Sequence, residues 1–136
     1  MEDTPAIRPW VHRGWQILAG IYVVALSWMM LAPQPWIIFG NEQDSVPLVS
    51  AASTLPDYFQ HLGAFMLLAC LAQMAVRGGP VNRLSLRASL LVGYALFVET
   101  AHTWIPQRTF QWSDLVANLG GVLLGIVIFQ KLEKRG

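Results

Sequence analysis

A chain of 136 residues in which 54% are apolar and 12% are charged carries about half the charge of an average soluble domain, where charged residues make up roughly 25%. A net charge of +1, with no basic stripe and no nucleic-acid-binding module, excludes nucleic acid as a partner. One cysteine, Cys70, lies in an apolar run; no disulfide can form within the chain, and a structural thiol packed among helices is its expected role.

In chain order, a short polar stretch with Glu2, Asp3, Arg8, His12 and Arg13 leads into uncharged, apolar residues from Trp15 to Leu31, closed by Pro33. That is close to the roughly 20 residues a helix needs to cross the hydrocarbon core. It is longer than the core of a cleaved signal, about 7–15 residues, and ends on bulky Trp28, Met29 and Met30, so it reads as a retained span. Residues 34–55 form a loop with Pro35 and Pro47 and a polar turn from Gly40 to Ser45. Within it Trp36-Ile37-Ile38-Phe39 is too short to span and is expected to rest at the interface. A second span runs over about 56–76, a third over about 84–105 with Arg87 expected to snorkel to the surface, and a fourth over about 113–130. The expected fold is an all-α integral membrane protein, one domain of four transmembrane helices with the bilayer as its first partner.

Charge sets the orientation. Arg8 and Arg13, then Arg77, Arg83 and Arg87, then Lys131, Lys134 and Arg135 all fall on one side, against Arg108 alone on the other. Both termini are therefore expected in the cytoplasm, with loop 34–55 outside. Trp10 and Trp15 mark the inner interface; Trp28, Trp36, Trp104 and Trp112 mark the outer one.

This topology gathers polar residues at one depth. Asp57 and His61 open the second span four residues apart, Glu99 and His102 lie three apart near the end of the third, and Asp114 and Asn118 lie four apart at the start of the fourth. Such spacings put each pair on one helical face. Arg108 sits in the tight outer loop between the last two spans, and the starts of spans two and four add partial positive charge and free backbone donors. Below Asp114 and Asn118, the Gly121-x-x-x-Gly125 stripe permits close approach of another helix.

Simpler roles exist for most of these groups. Thr54 and Asp57 resemble a capping box, Asp114 suits a first helical turn, and each histidine suits a hydrogen-bonded packing position. Glu99, about five residues inside its span, is beyond the reach of capping its own helix. Ionisable groups at such depth point to function, while a network gluing three helices together is the structural alternative.

The order Asp57-Tyr-Phe-Gln-His61, then Glu99-x-x-His102-x-x-x-Pro106-x-Arg108, then Asp114-x-x-x-Asn118-x-x-Gly121-x-x-x-Gly125, resembles the VanZ-like family of bacterial membrane proteins over about residues 55–129. The family usually has glutamine where this chain has His102, which implies an amide-like hydrogen-bonding role there. The resemblance implies a multi-pass protein of the bacterial cytoplasmic (inner) membrane, in a family whose founding member is associated with low-level resistance to the glycopeptide teicoplanin. Three functions follow. The first is an outward-facing pocket binding an anionic or sugar-bearing cell-envelope ligand through Asp57, His61, Glu99, His102, Arg108, Asp114 and Asn118, with Arg108 and His61 holding the anion. The second is a structural or assembly subunit of a larger membrane complex, docking through Gly121 and Gly125. The third is a lipid-phosphate hydrolase or transferase, with His61 and Glu99 as candidate catalytic groups. No His-Glu-x-x-His or comparable motif is present, so no metal and no cofactor is assigned. Asp57, His61, Glu99, His102 and Asp114 are nonetheless the side-chain types that suit zinc or manganese.

Overall fold

The computed structural model describes residues 9–33, 57–76, 84–106 and 108–135. The expectations for loop 34–55, for the Thr54 cap and for Arg77 and Arg83 fall outside those residues. Four α-helices follow one another: α1 (Pro9–Leu31), α2 (Asp57–Val76), α3 (Leu84–Ala101) and α4 (Trp112–Glu133), with no strand among the described residues. All four are long and apolar enough to cross a membrane, α3 with the help of the 3-10 turn His102–Trp104 that continues it.

Local chemistry sets the ends. Pro9 opens α1 where a missing N–H loses no helical hydrogen bond, and Pro33 follows its last turn. α3 gives way to the 3-10 turn and then to Ile105, whose φ of −96° and ψ of 123° are the extended geometry favoured before a proline, here Pro106. His102 therefore stands on the 3-10 turn and not on a continuous α-helix. α4 runs three residues beyond its expected end, placing Lys131 in its last turn against the negative end of the helix dipole.

Each helix turns large apolar side chains outward, among them Ile21, Val24, Leu90, Phe97, Val116 and Leu123, as residues facing hydrocarbon do. The core combines Leu26 and Met30 of α1 with Phe65, Leu68 and Ala69 of α2, Leu91, Ala95 and Val98 of α3, and Val122 and Ile126 of α4. Two hydrogen bonds tie α1 into it: Tyr22 donates to the Ala64 carbonyl at 3.0 Å, and Ser27 and Tyr94 share one of 2.8 Å.

The tightest pair is α2 with α4, which run parallel and begin at the same end of the bundle. A Cβ at Gly121 would fall on the Leu62 carbonyl oxygen and 2.9 Å from the Met66 nitrogen; one at Gly125 would lie 2.5 Å from the Met66 oxygen and 2.7 Å from Ala69 Cβ. Backbones this close forgo a side chain and gain dispersion contact along their length, the driving force left to helices in lipid. The half-buried Cys70 thiol adds a 3.6 Å contact to the Gly125 carbonyl. At the opposite end stands Arg87. It is half-buried and donates to Oε1 of the buried Gln73 on α2, an inward partner that offsets desolvation of the guanidinium.

Candidate functional site

The parallel course of α2 and α4 sets His61 beside Asn118, and the α3–α4 connection lays Glu99 and His102 against them. His61, Glu99, His102, Asp114 and Asn118 are all buried, Glu99 and Asn118 completely. They lie about one turn in from the end at which α2 and α4 begin. Of the seven residues expected to converge, the structure brings these five together. Asp57, the first residue of α2, is exposed, and Arg108 is turned toward α1.

Acceptor-only partners fix one nitrogen of each histidine. Asn118 Oδ1 lies 2.9 Å from His61 Nδ1, so Nδ1 carries the proton and Nε2 faces the cluster, 3.8 Å from Asp114 Oδ2. His102 Nε2 donates to the Met30 carbonyl at 2.9 Å, leaving Nδ1 3.4 Å from Glu99 Oε2. Both remaining nitrogens thus confront a carboxylate across a gap wider than a hydrogen bond. The imidazole rings stand edge to face with centroids 6.4 Å apart.

Glu99 divides its oxygens. Oε1 accepts the backbone N–H of Gln111, the N-cap residue of α4, at 2.8 Å, where Gln111 supplies no side-chain cap of its own. A carboxylate too deep to cap its own helix therefore serves the start of the next one. Oε2 is buried with no hydrogen bond, as is Asn118 Nδ2. Asp114, in the first turn of α4, accepts from the Ser113 hydroxyl at 3.2 Å and keeps Oδ2 toward His61. One ligating atom from each of His61, Glu99 and Asp114 lies within 4.8 Å of the other two.

The C-terminal end of α1 forms a fourth wall that no side-chain motif announced. The last carbonyls of a helix lack intrahelical donors. Here Ala32 N–H takes that of Trp28, Arg108 Nη2 donates to Met29 at 3.0 Å and Ala32 at 3.3 Å, and His102 takes Met30. Positive groups at the negative end of a helix dipole also gain electrostatically, and a hydrogen bond from a charged donor contributes about 1.5–3 kcal/mol net. Arg108 is thus a clasp between the α3–α4 connection and α1. The sign available in the sequence was a donor-only arginine in a tight loop level with the end of a helix stopped by Pro33.

Searches of curated proteins and of solved structures found no match. A comparison with protein families found VanZ/LLP1 over residues 19–133, a stretch that includes all five buried polar residues, the Gly121 and Gly125 contact and most of α1. The chain belongs to the VanZ/LLP1 family.

Proposed function

We propose that this protein binds the polar head of an anionic or sugar-bearing envelope lipid at the outer face of the bacterial cytoplasmic membrane, through His61, Glu99, His102, Asp114 and Asn118. The observation that carries this reading is the pair of buried, unsatisfied atoms, Glu99 Oε2 and Asn118 Nδ2. Each such atom costs about 1–3 kcal/mol while unmade, and here an acceptor and a donor fall together in one cluster. A ligand offering hydroxyls and oxygens satisfies both. The depth of the group, one turn from the bundle end, suits a head group whose acyl or prenyl chain stays in the hydrocarbon beside exposed Tyr58 and Phe59.

The orientation rests on the asymmetry of Lys and Arg. In a Ser113→Cys chain the new thiol is expected to react with a membrane-impermeant reagent on intact cells or spheroplasts; protection there together with reaction in inverted vesicles would turn the bundle over. Head-group binding is read by native mass spectrometry of the chain released from its own membranes in mild detergent. An anionic or glycosylated lipid is expected on the wild type and on Arg108→Ala, whose missing guanidinium lowers the melting temperature without touching the cluster. Asn118→Leu, losing a hydrogen bond of about 1–1.5 kcal/mol, is expected to retain about tenfold less. Equal retention by wild type and Asn118→Leu would sink the proposal.

A further inference from the structure

We propose that His61 Nε2, Glu99 Oε2 and the Asp114 carboxylate together hold one divalent transition-metal ion of the zinc or manganese class. This rests on the reading above only in taking the buried cluster to be the functional site.

Three independent features converge on it. The first is donor geometry. The ligating atoms of three buried side chains from three different helices lie within 4.8 Å of one another, with His61 Nε2 and Asp114 Oδ2 already at 3.8 Å. Ligands about 2.0–2.2 Å from a tetrahedral ion stand roughly 3.4 Å apart, so the trio must draw in by at most about 1.4 Å to coordinate one.

The second is the state of each donor. Asn118 Oδ1 accepts the Nδ1 proton of His61, which turns Nε2 toward Asp114 Oδ2, 3.8 Å away. Metal-ligating histidines are habitually held in this way, one ring N–H fixed by an oxygen and the other nitrogen on the ion. Glu99 is anchored through Oε1 by the Gln111 N–H, and Oε2, at zero exposure, makes no hydrogen bond and has His102 Nδ1 as its neighbour at 3.4 Å.

The third is the balance of acids: Glu99 and Asp114 bring two carboxyl groups into a buried site faced by His102 and His61, while Arg108 is held on the carbonyls of α1. Buried charges need a partner or a metal. A divalent ion balances the two carboxylates, and one nitrogen with two oxygens is a donor set suited to zinc or manganese. Three protein ligands leave a coordination position open. A phosphate or sugar oxygen of the head group fits that position.

The rival arrangement has both histidines protonated, each balancing one carboxylate. Metal analysis separates the two. The full chain, purified in detergent from cells grown with added Zn2+ and Mn2+, is expected to carry one equivalent of one of them by inductively coupled plasma mass spectrometry. After chelation it is expected to rebind that ion with the same stoichiometry. His61→Gln and Asp114→Asn are each expected to weaken binding by more than about 100-fold, and Asn118→Leu, which frees the histidine ring, by about 10–100-fold. His12→Gln, on α1 and outside the cluster, is expected to bind as the wild type does. Should a cluster variant fail to fold, the wild type decides alone: Co2+ added to the chelated protein is expected to give the visible absorption of a low-coordinate nitrogen and oxygen site. A wild type that holds neither metal and gives no cobalt spectrum overturns the proposal, as do folded His61→Gln and Asp114→Asn chains that bind like the wild type. Because these measurements use no lipid, a missing metal leaves the head-group result standing, and a missing lipid leaves the metal result standing.

Discussion

A Gly121→Ala chain is expected to lose stability, and Gly120→Ala, one residue away, is expected to lose none. The difference is what the added Cβ meets. At Gly121 it falls on the Leu62 carbonyl oxygen and within 2.9 Å of the Met66 nitrogen, both backbone atoms of α2 that no rotamer change removes. At Gly120 the nearest atom is Leu62 Cδ1 at 3.6 Å, an ordinary contact. Overpacking commonly costs about 1–3 kcal/mol, and Gly121 belongs at the upper end because α2 and α4 must separate as whole helices. Alanine at position 120 removes a glycine from a helix interior, which is neutral to favourable by up to about 1 kcal/mol. Thermal melting followed by fluorescence-detected size exclusion in mild detergent reads the contrast. Equal melting of the two variants would mean that the close pass of α2 and α4 contributes nothing to stability. Because the His61–Asn118 hydrogen bond lies about one turn from Gly121, the same variant is expected to lose head-group and metal binding along with stability.

The four spans were legible because uncharged runs near 20 residues have few other uses, and prolines mark their ends. The core of the cluster was legible because Glu99 with His102 and Asp114 with Asn118 keep to helical spacing, and α2 carries His61 to the same level. Asp57 shows where that reasoning stops. Four residues from His61, it shares a helical face with it, yet it is the first residue of α2 and stands a full turn beyond the packed section, where a face meets solvent or head groups instead of a neighbour. Arg108 marks a second limit. It is drawn to acceptors that a side-chain pattern does not display, the backbone carbonyls at the end of α1. Backbone demand at helix ends is invisible in residue types, and it recruited His102 and Arg108 as well as one oxygen of Glu99.

Glu99 holds two tasks that substitution is expected to separate. One is structural: Oε1 accepts the N–H of Gln111 and so completes the start of α4. The other belongs to Oε2, which makes no hydrogen bond and faces His102 Nδ1 at 3.4 Å, on a carboxyl group that also stands near His61 and Asp114. Glu99→Gln keeps the first, since an amide oxygen accepts the same N–H, and it removes only the carboxylate from beside His102 Nδ1. Its melting temperature is expected to stay near that of the wild type, within the equivalent of about 1 kcal/mol. Metal binding is expected to vanish because the ligating carboxylate is gone. Glu99→Ala removes both tasks: it leaves the Gln111 N–H without an acceptor, at about 1–3 kcal/mol, and opens a cavity among fully buried side chains that adds further loss. The expected pattern is a glutamine variant that is stable and empty beside an alanine variant that is unstable and empty. A glutamine variant as unstable as the alanine one would assign the carboxylate's charge to holding the helices together, and the cluster would then be an ion-pair network with no ligand to bind.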